Sequence, residues 1–186
     1  MIYGERIRLR AVEKADLPMF VAWLNDPEVQ QGIILHNPLS QTEEENWYER
    51  MLARPVDEHV MAIEIRLPDE TGEEPNWKLI GSLAFENIDW RIAAAEFGIV
   101  IGDKNYWNQG YGTEAVRLLV HYGFNTLNLN RIFLHVYANN LRAIHAYKKA
   151  GFTLEGRERQ AQFKHGSYID VLRMSMLKSD YLQAGN

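Results

Sequence analysis

The 186-residue chain contains no cysteine, which removes disulfide frameworks, thiolate metal sites and a cysteine nucleophile at once. Long apolar runs are missing too. Nowhere do eighteen apolar residues follow one another, and the opening stretch Met1 to Arg10 alternates charge with apolar side chains. Neither a membrane span nor a secretory signal is read from this, and a cytoplasmic location is expected. Positive charge is scarce: 20 Lys and Arg stand against 25 Asp and Glu, a formal charge of −5. Counterion release, which drives nucleic-acid binding, has no basic stripe to work with, so nucleic acid is not an expected partner. The six histidines, His36, His59, His121, His135, His145 and His165, show no ligand spacing of the H-E-x-x-H kind, and no metal is expected.

What is present reads as one globular domain over residues 1–186. Hydrophobic residues make up 46% and charged residues 24%, enough for a continuous core without repeats or low-complexity tracts. Ile7, Leu9 and Ala11 alternate with Arg6, Arg8 and Arg10, the pattern of a first strand, and Leu17, Phe20, Val21 and Leu24 recur at helical spacing until Asp26-Pro27 ends that helix. Gln41 to Ala53 reads as a second helix, with Ser40 as N-cap and Glu43 completing a capping box. Strands are expected at about 58–67, 78–87 and 93–101, the first two joined by a turn-rich connection over Pro68 to Asn76.

Beyond residue 102 the period returns to helix, with Ala115, Leu118, Leu119 and Tyr122 on one stripe and Val116, Val120 and Gly123 making the other side apolar as well. Arg131 to Tyr137 is a strand. Asn140 to Ala150 is a helix stopped by Gly151, and Phe152 to Lys164 pairs with Tyr168 to Leu177 across a His165-Gly166-Ser167 turn. The order β-α-α-β-β-β-α-β-α-β-β predicts an α/β (α+β) domain: a mixed sheet with helices on its faces.

Two segments carry chemistry. In the first, an apolar strand ending at Ile99-Val100-Ile101 runs through Trp107-Asn108-Gln109-Gly110-Tyr111-Gly112-Thr113 into a helix. A strand, a glycine turn and a helix start direct backbone N–H groups and the positive end of the helix dipole at one point, a seat for a pyrophosphate. Taken alone, the two glycines also fit a plain tight turn. Gly110 to Ala115 matches the dinucleotide pattern G-x-G-x-x-A, but Asn139 and Asn140 occupy the place of the ribose-binding acid, and the chain closes in a hairpin instead of further βα units. The phosphate reading survives and the dinucleotide one does not.

The second segment is Asn140-Leu141-Arg142-Ala143-Ile144-His145-Ala146-Tyr147-Lys148-Lys149-Ala150-Gly151-Phe152, in which Asn140, Ile144 and Tyr147 fall near one helical face. Asn-Leu-Arg-Ala-Ile-x-x-Tyr-x-Lys-x-Gly-Phe after a strand, with a Gly-x-Gly helix start upstream, resembles the acetyl-CoA-binding half of the GCN5-related N-acetyltransferase (GNAT) family. Gly4-Glu5-Arg6-Ile7-Arg8-Leu9-Arg10 and Trp23-Leu24-Asn25-Asp26-Pro27-Glu28-Val29 are similar to the opening of its branch of ribosomal-protein N-terminal and spermidine acetyltransferases. Trp107 departs from the Arg or Gln that often begins the family's glycine pattern.

The resemblance implies a splayed central sheet of about seven strands with about four helices, and direct transfer of an acetyl group from acetyl-CoA to a primary amine. Such a reaction needs an uncharged nucleophile, a donor to the developing oxyanion and a proton for the departing thiolate. By carry-over, Ile99, Val100 and Ile101 hydrogen-bond the pantetheine and Gln109, Gly110, Tyr111, Gly112 and Thr113 hold the pyrophosphate. Asn140 meets the pantetheine arm, Tyr147 protonates the thiolate, and Glu96 or Glu86 serves as base, directly or through water. A protein N-terminus, a polyamine and another small amine all stand open as acceptor, and a homodimer is implied. The competing reading is a catalytically silent acyl-CoA sensor. For a polyamine, carboxylates should converge on the acceptor pocket around Gln31 to Leu39; Asp26, Glu28, Glu43, Glu44 and Glu45 lie near it in sequence, although a helix dipole and ordinary solubility explain acidic residues at a helix start equally well.

Overall fold

A computed structural model describes residues 1–35, 37–68 and 76–184; His36 and most of the connection expected over Pro68 to Asn76 lie outside the described residues. The strands are β1 (Ile2–Tyr3), β2 (Ile7–Ala11), β3 (Met61–Arg66), β4 (Trp77–Asp89), β5 (Ala94–Ile101), β6 (Arg131–Tyr137), β7 (Thr153–Lys164) and β8 (Ser167–Leu177). They form one sheet in the order β1-β2-β3-β4-β5-β6-β8-β7. Every neighbour pair is antiparallel except β5 with β6. The helices are α1 (Leu17–Leu24), α2 (Pro27–Gln30), α3 (Gln41–Leu52), α4 (Tyr111–Asn125), α5 (Leu141–Ala150) and α6 (Lys178–Gln183). The elements beyond the expected order are β1, α2 and α6, of two, four and six residues, too short to show a period of their own. Among the described residues, no helix is long and apolar enough to cross a membrane.

Local chemistry explains the elements. Ile7 and Leu9 are fully buried on one face of β2, while Arg8 and Arg10 on the other face both bond the buried Glu64 of β3. Arg10 also reaches Asp16 with both guanidinium nitrogens, at 2.7 and 2.8 Å, so the alternating arginines pair inward instead of facing water. Ser40 and Glu43 form the expected capping box at the start of α3, and Gly151 ends α5 in the left-handed conformation at φ 107°.

Two apolar clusters sit on opposite faces of the sheet. The larger packs α4, α5 and Tyr181 of α6 against Ile7, Ile63, Phe85, Phe97 and Ile132. The smaller packs α1 and α3 against Ala62 through Leu17, Phe20 and Met51. Contact between α4 and the sheet is close: a Cβ on Gly123 would stand 2.7 Å from Phe85 and 2.8 Å from Ile132. Helix α4 buries one broad face, from Ala115 to Phe124, rather than two separate ones, with Leu118 and Tyr122 at its margin.

Candidate active site

Strands β5 and β6 pair only over Ala94↔Arg131, Ala95↔Ile132 and Glu96↔Phe133. Beyond Glu96 they separate, although β5 runs on to Ile101 and β6 to Tyr137. The gap opens into a cleft of about 1140 Å³, lined by Phe97 to Ile101 of β5, His135 to Tyr137 of β6, the first turn of α4 and the cleft face of α5. Parting a parallel pair leaves one side of each strand without a ladder partner, and backbone polar groups so freed need another partner.

The first turn of α4 meets the cleft at Gly110, Gly112 and Thr113. Gly110 is its N-cap with φ 86°, and no side chain caps the helix, so the first N–H groups are left for water or a ligand. A Cβ on Gly112 would meet only Ile101, at 3.6 Å, an ordinary contact; the chain's own packing does not demand glycine there. The side chains of Gln109 and Tyr111 turn away from the cleft. Gln109 bonds the Asn105 carbonyl at 2.6 Å, and Tyr111 stacks under Arg6, 4.6 Å from ring centroid to guanidinium. Arg6 also grips Glu114 at 2.8 Å and the Gln109 carbonyl at 3.2 Å, fixing the turn to the edge of β2.

Trp107, the residue that departs from the family's Arg or Gln, lines the cleft as well. Its indole N–H donates to the Ile101 carbonyl at 2.7 Å, and the Arg142 guanidinium lies over its ring, 3.4 Å from the centroid. A cation from α5 thereby stands near the position where a side-chain cation was missing from the turn, and Asn108 beside it adopts a left-handed φ of 60°.

From α5, Asn140 and Tyr147 both face the cleft. The Asn140 side-chain oxygen accepts from Ala143 N–H at 3.2 Å as N-cap, and its amide nitrogen would stand 2.9 Å from a Cβ on Gly32. Tyr147 is 9% exposed, packed edge-on against Phe97 at 5.9 Å. Burial pushes its phenol up to about 12, so it holds its proton throughout the neutral range.

On the opposite face of the sheet, Glu86 of β4 and Glu96 of β5 are register partners, and both line the cleft. Glu86 is exposed to the cleft, yet desolvation by the surrounding walls, then the Glu96 charge, hold it above the ordinary carboxylate range, against a smaller opposing pull from Arg54. Gly98 keeps the space before Glu86 clear; a Cβ there would come within 3.4 Å of its oxygen. His135 of β6 straddles the fork of the gap, with Nδ1 2.6 Å from Glu96 Oε1 and Nε2 3.7 Å from Glu158 Oε1. His135 and Glu158 carried no signal in sequence, since 39 and 23 residues separate His135 from its partners. The acidic residues near Gln31 to Leu39 do not converge here. Asp26 and Glu28 pair with Lys104, Glu43 caps α3, Glu44 is buried and Glu45 takes a bond from Gln41. None of them lines the cleft.

Comparison with known proteins agrees with this geometry. Residues 6–153 match the family model described as Acetyltransferase (GNAT) domain. The chain is 32% identical to an uncharacterized N-acetyltransferase of Bacillus licheniformis over 97% of both chains. It is 29% identical to a spermidine N(1)-acetyltransferase of Vibrio cholerae over 96% of this chain and 97% of that one. The crystal structure of spermidine N-acetyltransferase from Vibrio cholerae in complex with CoA and spermine superposes with a TM-score of 0.83 at 29% identity, covering 96% of this chain and 99% of that one. The chain belongs to the GNAT acetyltransferase family, and is an N-acetyltransferase with acetyl-CoA as acyl donor and an amine as acceptor.

Proposed function

We propose that the acceptor is a polyamine or a similar small polycation, acetylated on a primary amine by a single cytoplasmic domain that works as a homodimer. The observation that carries this reading is the convergence of Glu86, Glu96 and Glu158, with His135 among them, on the acceptor side of the gap. Grouped carboxylates lower the potential of a cleft and draw in polycations, whereas a neutral peptide terminus gains little from them. The Vibrio cholerae relative, named for spermidine, supports the same class.

Acetyl-CoA supplies an acetyl group activated as a thioester. The edge of β5 at Ile99, Val100 and Ile101, where β6 has parted and Trp107 takes the Ile101 carbonyl, offers its remaining backbone groups to the pantetheine, and one of its N–H groups polarises the acyl carbonyl. The uncapped start of α4, from Gln109 through Gly110, Tyr111, Gly112 and Thr113, holds the diphosphate through backbone N–H groups, with Arg142 adding charge. Asn140 offers its amide N–H to the pantetheine arm. Glu86 takes the proton of the arriving ammonium; its raised affinity makes it a stronger base than an ordinary carboxylate. Glu96 and His135 relay that proton outward. Tyr147, on the other face and protonated, gives its proton to the departing sulfur.

The test is thiol release from acetyl-CoA with spermidine, spermine, putrescine, propylamine and a tetrapeptide with a free N-terminus. The polyamines are expected to give the highest kcat/KM, falling as salt is raised. A preference for the peptide or for propylamine overturns the reading.

A further inference from the structure

One buried cation has no part in the chemistry above. Lys164 ends β7, a strand otherwise almost wholly exposed, yet it is only 5% exposed itself. Its ammonium donates to the carbonyl oxygens of Gln30 and Ile33 and lies 5.4 Å from the centroid of the Tyr137 ring. Among the described residues no carboxylate pairs with it. Burying a lysine is costly unless its donors are satisfied, and burial lowers its hold on the proton. The two carbonyls that satisfy it sit at the end of α2 and just beyond, where a helix leaves acceptors free.

Those carbonyls belong to a wall of the cleft. Val29, Gly32, Ile33 and Ile34 line it from one side, and Ala161 and Gln162, just before Lys164, line it from another. The segment over residues 31–35, directly after α2, runs through turns and bends rather than a helix or strand. Its flanks are tied elsewhere: Asp26 binds Lys104 at 2.8 Å, and Asn25 exchanges two hydrogen bonds with Leu39, at 2.7 and 2.8 Å. In the middle, the bonds from Lys164 are joined by one from the Tyr137 hydroxyl to the Ile33 carbonyl, at 3.4 Å. Tyr137 shares its strand face with His135.

We infer that Lys164 is a positioning residue for the acceptor: its ammonium clasps the Gln30–Ile33 segment to the β7–β8 hairpin and so fixes the wall against which the amine is held. This rests on the acceptor entering on the Glu86 and Glu96 side, as proposed above. The donor side, built on α4 and the first turn of α5, lies away from Lys164 and approaches the clasped segment at Gly32, where the Asn140 amide nitrogen would stand 2.9 Å from a Cβ, so the amine is expected to respond to the loss of the clasp more strongly than the donor.

The test uses the full chain with Lys164→Met, which keeps the stem and removes the donors, and Lys164→Arg, which keeps charge and donors. Hydrogen–deuterium exchange of peptides covering residues 30–35 is expected to quicken about tenfold in Lys164→Met, in line with losing charged hydrogen bonds, while peptides from 110–125 stay unchanged. With the fastest amine of the panel above, KM for the amine is expected to rise about tenfold, with kcat and the acetyl-CoA KM within about twofold of the parent, and Lys164→Arg is expected to recover most of the loss. Unchanged exchange at 30–35 overturns the clasp, whatever the amine. Faster exchange with an unchanged amine KM, or an equal rise in both KM values, overturns the positioning role. If the parent acetylates only the peptide, the polyamine reading falls, and the same measurements on the peptide still decide the clasp.

Discussion

Glu86 and Glu96 face one another across the β4–β5 ladder, side by side on one face of the sheet, at the point where β5 leaves β6. The Glu96 charge so placed adds to desolvation within the cleft in holding the Glu86 carboxyl above the ordinary range.

If Glu86 accepts the proton from the ammonium, it works only when ionised. The acid limb of the kcat profile then lies above the ordinary carboxylate range, and removing the Glu96 charge shifts it. Glu96→Gln is expected to move the limb to lower pH, since the like charge that raises Glu86 is gone. Glu86→Gln is expected to lower kcat about a hundredfold. An acid limb that stays in place in Glu96→Gln rules out this coupling.

Tyr147 sits on the other face, and its enclosed phenol keeps its proton up to about pH 12. Tyr147→Phe is expected to cut kcat about a hundredfold while leaving acetyl-CoA affinity, measured by calorimetry, within about twofold, because the ring packing on Phe97 and Phe152 survives. A parallel loss of affinity would assign the hydroxyl to binding instead.

The glycines of the turn separate backbone strain from ligand access. Gly110→Ala places a side chain at φ 86° and is expected to lower stability by about 1–2 kcal/mol. Gly112→Ala meets only an ordinary contact with Ile101 and is expected to keep or slightly raise the melting temperature. The acetyl-CoA KM is nonetheless expected to rise several-fold, because the added β-carbon obstructs the anion's approach to the turn. Both effects are read from a thermal melt and a donor titration.

Glu44 lies on α3, 4% exposed, and burial raises its carboxyl from 4.5 to about 7. A carboxyl held above its unfolded value favours folding at acid pH, and this contribution is lost as pH rises through the folded value. Between about pH 4.5 and 7 the parent should therefore lose up to about 3 kcal/mol relative to Glu44→Gln. Denaturant midpoints at pH 5 and pH 8 check this; a constant gap between the two proteins contradicts it.

Much of the scaffold was legible because its signals are local. Ser40 and Glu43, Gly151 and the His165-Gly166 turn each act within a few residues of themselves, and each does what its chemistry dictates. The parting of β5 from β6 was expected only through family resemblance, since nothing in VIGDKNYWN or RIFLHVY states where two strands cease to pair. Residues that act across the sheet were harder still. His135 meets Glu96 and Glu158, Arg142 covers Trp107, and Lys164 reaches Gln30 and Ile33; each pairing is set by topology, not spacing. The acidic residues Asp26, Glu28, Glu43 and Glu44 fit either a polyamine pocket or ordinary helix-start chemistry in sequence, and in the structure they are spent on caps, ion pairs and one buried carboxyl.

In the proposed reading the donor lies in the gap between β5 and β6 with its diphosphate on the uncapped start of α4. Backbone amide NMR during titration with CoA tests it most directly. Shifts confined to the amides of residues 97–101, 109–113 and 140–147, with β7 silent through Thr153–Lys164, are what this account requires. No binding, or shifts that leave residues 109–113 untouched, would contradict it.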